Sequence, residues 1–397
     1  MANLAEKPAA EIPFDVERLD RLMDDMRIDV LLATSKHNVQ YLLGGHRPIF
    51  FEYMDATGLG RYMPVLVYPK GDAGKAAYIG HRLENFQTPF ETFWTPEVQM
   101  ASAYSSDAMQ KAIAYLDKAG IKPKRVAVEK AFLPVDAGSV LEQTLPDTEC
   151  IDAQFVLERL RALKRPYELA MLRDASELVV DAMMATVAKQ TPGATTREIT
   201  EALKKEEVNR GLDFDYCLIT AGRSLNRAPS SQTWDEGDIL CLDSGGNFHG
   251  YIGDVARMAI HGDPDAELSD MLAEIEDIQR AAMEPVRAGA IGREIYVAGE
   301  AQMYKSKNHN HMQFLAHGMG LTSHEAPRLT GKGPVPYDGY DEDRPLEAGM
   351  VVSVETTLQH PERGFIKLED TLAVTDTGYE IFGAGGWGWN RGGTKSG

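Results

Sequence analysis

Cysteine is scarce in this 397-residue chain: there are three, Cys150, Cys217 and Cys241, and no two form a C-x-x-C pair. That excludes a disulfide framework and a thiolate zinc site, and it suits a reducing compartment. Positive charge is short as well. Lys and Arg number 41 against 60 Asp and Glu, a net charge of −19, which argues against a nucleic-acid partner because phosphate-backbone binding needs a basic surface. No apolar run reaches the length of a membrane span. The opening residues MANLAEKPAAEIPF have neither the basic nor the apolar region of a secretory signal. A cytoplasmic protein with no nucleic-acid or membrane partner is therefore expected. What is present, 43% apolar and 25% charged residues, is a globular composition. The length allows one large domain or two ordinary ones.

The first part alternates helical and strand patterns. VERLDRLMDDM is amphipathic at helical spacing, DVLLAT, MPVLVYP and RVAVE read as buried strands, and DAMQKAIAYLDKAG reads as a helix stopped by glycine. Residues 1–155 are expected to form an α/β domain. Within it, the aromatic and charged connection at 45–62 is long enough to be functional or mobile. The grammar changes at LKRPYELAMLRDA, where Pro166 suits the first turn of a helix. Residues 156–385 are expected to form a second, α+β domain, and the glycine-rich residues 386–397 a tail.

That second part repeats itself. GATTREI (193–199) recurs as GAIGREI (289–295), and EGDILCLD (236–243) is echoed by EAGMVVSVE (347–355). Asp243 and Glu355 each close a strand six residues after a glycine. GYIGD (250–254) then parallels GFIKLE (364–369), which makes Asp254 and Glu369 a second matching pair. Both halves run helix, helix, strand, strand pair.

In a hairpin turning about Asn247–Gly250, Asp243 and Asp254 become cross-strand neighbours with Cβ atoms about 4.5–5.5 Å apart. Like charges so placed repel, and the duplicated half adds Glu355 and Glu369. Four carboxylates gathered at one point need cations, and two divalent ions held by bridging carboxylates meet that need. His317 in QFLAHGMG, at the position matching Ala221 in LITAG, supplies a nitrogen ligand. One imidazole with four carboxylates favours Mn, Fe(II) or Co, with Zn allowed. Alone, each residue has a plainer reading: the aspartates as turn residues, Glu369 as a solvated strand residue, His317 as structural. Their repetition in order is what points to metal.

DSGG…GYIGD, AHGMGLTSHEAP, MVVSVE and KLED resemble the metallopeptidase family of methionine aminopeptidase, prolidase, aminopeptidase P and creatinase. The N-terminal α/β domain and the LKRPYELAMLRDA junction are similar to its two-domain branch. The resemblance implies a pita-bread catalytic domain with an internal pseudo-twofold repeat and a dinuclear centre. It implies Asp243, Asp254, His317, Glu355 and Glu369 as metal ligands, and His324 in SHEAP as a residue that contacts substrate. It also implies a homodimer. Three positions depart from the family pattern: Ser230 stands where a histidine is common, Thr356 where a proline is, and Lys367 where an arginine is.

The expected chemistry is hydrolysis of a C–N bond, most simply in a short peptide with proline second, by a Xaa-Pro dipeptidase or aminopeptidase. Two metals would acidify a water between them. Glu355 would act as proton carrier and His324 as stabiliser of the developing oxyanion. The alternative is a non-peptidase relative acting on a small nitrogen or sulfur metabolite, in the manner of creatinase, ectoine hydrolase or dimethylsulfoniopropionate lyase. The missing histidine at Ser230 leaves room for that substrate.

Overall fold

The Asp15 carboxylate accepts a hydrogen bond from the Arg18 amide at 2.8 Å and starts the first helix, Val16–Asp25, by satisfying an amide the helix itself cannot. The computed structural model describes residues 11–53, 62–90, 92–331 and 338–394. They fall into two compact units, one within residues 3–161 and one from Ala162 onward.

The first unit holds a six-stranded sheet of β1 (Val30–Ala33), β2 (Val65–Pro69), β3 (Ala77–His81), β4 (Glu97–Ser102), β5 (Arg125–Val128) and β6 (Glu149–Asp152), in the order β4-β3-β2-β1-β5-β6. β1, β5 and β6 run parallel, while β2 is antiparallel to both its neighbours. Leu32, Val67, Ile79 and Val126 pack with Met109, Ile113 and Leu116 of the helix Ser105–Lys118. Of the 45–62 connection, residues 54–61 lie outside the described residues, and Ile49–Glu52 form a short helix.

The second unit carries the repeat. Its helix Pro166–Lys189 begins with proline in the first turn, and the Glu168 carboxylate accepts from the Arg165 amide at 2.8 Å, the reciprocal half of a capping box. The first half continues with the helix Thr196–Asn209, then β8 (Asp213–Ala221), β10 (Ile239–Phe248) and β11 (Tyr251–Ile260). Short strands β7 (Ala194–Thr195) and β9 (Thr233–Trp234) pair with each other. The second half has helices Ala266–Met283 and Arg293–Met303, then β12 (Met312–Gly318), β13 (Val351–His360) and β14 (Gly364–Val374). The sheet order is β12-β13-β14-β11-β10-β8. Each half thus gives three strands, and the halves meet at β11 and β14.

Of the expected tail at 386–397, residues 386–394 are described, and they carry one short strand. β15 (Tyr379–Phe382) pairs with β14, and β16 (Asn390–Arg391) pairs with β11 at Ala259 and Ile260. β11 and β14 themselves pair only at Ala256 and Glu369. That leaves the backbone of Ala259 and Ile260 to bond β16, and the Asn390 amide adds a hydrogen bond to the Met258 carbonyl at 2.9 Å. Just before it, Gly386 and Gly388 take positive φ, 77° and 78°.

Candidate metal centre

The β10–β11 hairpin closes through a two-residue turn, His249–Gly250, with Phe248 opposite Tyr251. Both turn residues have positive φ, 53° and 97°, as a turn that matches the twist of its strands requires. Glycine adopts that conformation freely, and the Asn247 side chain holds the Gly250 amide at 2.7 Å. This turn corrects the expected register by two residues: Asp243 faces Ala256 and Asp254 faces Gly245. The aspartates are therefore diagonal neighbours on one face, still within reach of each other. In the other half a three-residue turn sets Glu355 directly opposite Glu369.

Two further equivalences change. Asp243 and Glu355 face Leu218 and Leu315, so Thr220, not Ala221, corresponds to His317. Likewise Glu369 matches Ala256, its own partner at the seam, rather than Asp254. The first half thus keeps one aspartate on a row where the second half keeps serine and histidine.

The face reads as two adjacent rows. One runs Asp243, Ala256, Glu369, Glu355 across β10, β11, β14 and β13. The next holds Asp254, which faces Gly245, and His317, which faces Ser353. All five predicted residues are brought together and lie in the sheet interior, with Asp243, Asp254, His317 and Glu369 buried. His317 Nε2 stands 3.4 Å from Glu369 Oε1 and 3.8 Å from Glu355 Oε1. Ser353 donates to the same Glu369 oxygen at 2.7 Å.

A sixth charge enters this cluster. Lys367 lies two residues before Glu369, on the same face but on the side away from Asp254 and His317. Its ammonium reaches Asp243 Oδ2 at 2.6 Å, Glu355 Oε2 at 2.5 Å and Glu369 Oε2 at 2.8 Å. Burial opposes its charge, but the Asp243, Glu355 and Glu369 carboxylates outweigh burial and hold the ammonium well above the usual lysine range. Burial pushes Asp243, Asp254 and Glu355 upward. Glu369 is lowered despite its burial, by Lys367 and His317. Burial also lowers His317, but Glu369, Glu355 and Asp254 more than compensate and raise it to about 9.

The cluster borders a cavity of about 730 Å³ lined by Leu218, Phe314 and Phe365 beside the charged groups. His324 lines it and stacks on His317, ring centroids 3.9 Å apart. Burial first, then the neighbouring His317, push its imidazole down to about 3, so it is neutral at physiological pH. Arg227 lines the cavity too. Its guanidinium bonds Asp243 and lies 5.1 Å from the centre of the Phe365 ring. Sequence reasoning missed Arg227, because nothing in NRAPSS marks it. Ser230, the position singled out there, is turned elsewhere: its amide donates to Thr196 Oγ1 at 2.9 Å and its hydroxyl accepts from the Gln232 amide at 3.2 Å.

The donor set fits a divalent cation. One ligand atom each from Asp254, His317 and Glu369 lie within 4.8 Å of one another. Asp254 Oδ1 and His317 Nε2 are buried with no hydrogen-bond partner, which is costly unless a ligand completes them.

A sheet of two repeated halves, carrying clustered carboxylates and one imidazole and preceded by a separate α/β unit, defines a two-domain metallohydrolase of the pita-bread type. The chain belongs to metallopeptidase family M24, whose model matches residues 170–376, and a creatinase/prolidase N-terminal domain matches residues 16–163. It is 24% identical over 373 residues to the uncharacterized peptidase YqhT of Bacillus subtilis, covering 91% of this chain and 96% of that one. The Xaa-Pro dipeptidase of Pyrococcus horikoshii is 25% identical over 373 residues, covering 91% and 95%. A solved Xaa-Pro dipeptidase from Bacillus anthracis superposes with a TM-score of 0.79 at 21% identity, covering 95% of this chain and 98% of that one. The prolidase from Pyrococcus horikoshii OT3 gives 0.76 at 20% identity, covering 93% and 97%. Among the described residues no helix is long and apolar enough to cross a membrane.

Proposed function

We propose that this enzyme hydrolyses the peptide bond of short Xaa-Pro substrates with a divalent ion, Mn, Co or Fe(II), held by Asp254, His317, Glu355 and Glu369. The observation that carries the reading is the buried trio Asp254, His317 and Glu369, whose ligand atoms lie within 4.8 Å of one another with Asp254 Oδ1 lacking a hydrogen-bond partner, beside an apolar-walled cavity of about 730 Å³. The names of the relatives support the substrate class. An ion so held lowers the pKa of water toward neutrality and polarises a carbonyl.

The chain's own groups do the rest. Glu355, at 14% exposure of its side chain the least buried of the carboxylates bonded to Lys367, faces the cavity. It takes the proton of the attacking water and passes it to the leaving nitrogen. His324, neutral, donates an N–H to the carbonyl oxygen as negative charge develops there. Arg227 presents a planar, permanently charged fork to the cavity, suited to a substrate carboxylate. Leu218, Phe314 and Phe365 give an apolar wall for the proline ring.

The experiment is a panel of Xaa-Pro dipeptides and small nitrogen and sulfur metabolites, tested with Mn-, Co- and Fe-loaded protein. Cleavage of Ala-Pro or Gly-Pro above every metabolite supports the reading, and turnover of a metabolite alone overturns it. The homodimer is likewise proposed, on the family resemblance. Light scattering at micromolar concentration should return twice the chain mass.

A further inference from the structure

We infer that Lys367 is the second cation of this centre, and that the site takes one metal ion where two were expected. The inference rests on the metal-centre part of the reading above and leaves the substrate open.

The oxygens of the two glutamates are divided between two directions. Oε1 of Glu355 and Oε1 of Glu369 face His317, at 3.8 and 3.4 Å, while both Oε2 atoms face Lys367, at 2.5 and 2.8 Å. Glu355 and Glu369 therefore bridge a nitrogen-containing pocket on one side and an ammonium on the other. Strand geometry causes this division. Side chains two apart share a face, so Lys367 and Thr371 flank Glu369 on β14, and Thr371 lies on the Asp254 side, donating to the Asp254 carbonyl at 3.1 Å.

A second ion would need the ligands that Lys367 already holds. Asp243 Oδ2 accepts from both Lys367 and Arg227, and the Lys367 nitrogen, which has three N–H groups to give, also lies 2.5 Å from Glu355 Oε2 and 2.8 Å from Glu369 Oε2. Lys367 has no exit to solvent, its side chain being 5% exposed.

Charge points the same way. The cluster carries four carboxylates, Asp243, Asp254, Glu355 and Glu369. A second divalent ion beside Lys367 would set a dication against a buried ammonium in a medium that screens poorly.

The test is ion stoichiometry on the full-length protein. Wild type, Lys367→Ala and Lys367→Met are stripped with chelator, titrated with Mn²⁺ and examined by calorimetry and electron paramagnetic resonance. Wild type should bind one ion per chain with an uncoupled six-line spectrum. The variants should bind two and show an exchange-coupled spectrum. Two ions in wild type, or none, overturn the inference, and so do folded variants that still bind one. Where a variant fails to fold, the wild-type count alone decides. One ion without Xaa-Pro cleavage would overturn the substrate assignment and leave this inference standing.

Discussion

Asp254 faces Gly245 across the β10–β11 hairpin, with Asp243 two residues along on the same face. The arrangement needs residue 245 to have no side chain: a Cβ there would stand 2.3 Å from the Tyr216 ring. Gly245→Ala should displace Tyr216, cost about 1–3 kcal/mol through overpacking and weaken Mn²⁺ binding beside Asp254. Urea unfolding and a metal titration check this. Wild-type values for both would contradict it.

Glu207, at the end of the helix Thr196–Asn209, is fully buried and accepts from the Ser244 hydroxyl at 3.0 Å. Burial raises its carboxyl from 4.5 to about 8, against the opposing Ser244 bond and with a smaller push from Asp215. Between those values the folded protein keeps a proton that the unfolded chain has lost. This contribution to stability is complete below pH 4.5 and is lost as pH rises to about 8. The slope is at most about 1.4 kcal/mol per pH unit. Glu207→Gln, which cannot ionise, should flatten the stability profile between pH 5 and 8 relative to wild type, a window taken from that shift. An unchanged profile would remove Glu207 from the account.

Lys164 and Glu325 form a buried ion pair at 3.0 Å, each side chain 1% exposed. Glu325 follows His324, so the pair fixes the segment that carries that imidazole. Lys164→Met removes the cation facing Glu325 and should cost about 3–5 kcal/mol. Adding Glu325→Gln should restore much of the loss. Measured additivity of the two changes would show that they do not act as a pair.

The cavity contrasts Arg227 with Ser230. Arg227→Ala removes a charge-assisted contact worth about 1.5–3 kcal/mol, so kcat/KM on Ala-Pro should fall on the order of tenfold to a hundredfold. Ser230→Ala and Ser230→His should change it little, because Ser230 is tied to Thr196. A large gain from Ser230→His would return that position to the substrate site.

Much of the architecture was legible because the repeat doubles every signal. EGDILCLD and EAGMVVSVE announce two carboxylate-bearing strands, but Asp243 and Glu355 stand at their middles, β10 running on to Phe248 and β13 to His360, rather than closing them. The first hairpin misled because its register depends on turn conformation. His249 takes a left-handed φ of 53°, and nothing in the spacing reveals it. That two-residue slip displaced the equivalence of Glu369, whereas the match of His317 moved by one residue, from Ala221 to Thr220, and is set by the pairing of β8 with β10. In the first unit, β1, β2 and β5 are apolar runs, whereas the edge strands β4 (EVQMAS) and β6 (ECID) lack a clear apolar alternation. Lys367 could be placed on the ligand face from its two-residue spacing to Glu369, but its contacts with three carboxylates depend on strands far apart in sequence. Arg227 reaches Asp243 from a loop, and loop trajectories carry no periodicity to read.

Cleavage should depend on the Asp254–His317–Glu369 site before anything else. The measurement is kcat/KM on Ala-Pro for wild type and His317→Ala, each chelator-stripped and then restored with Mn²⁺, with bound metal counted in parallel. Stripped wild type should lose at least about a hundredfold and recover on reloading, because water is a poor nucleophile at neutral pH without the ion. His317→Ala should neither retain metal nor recover. Full activity in the stripped protein, or in His317→Ala, would contradict the account.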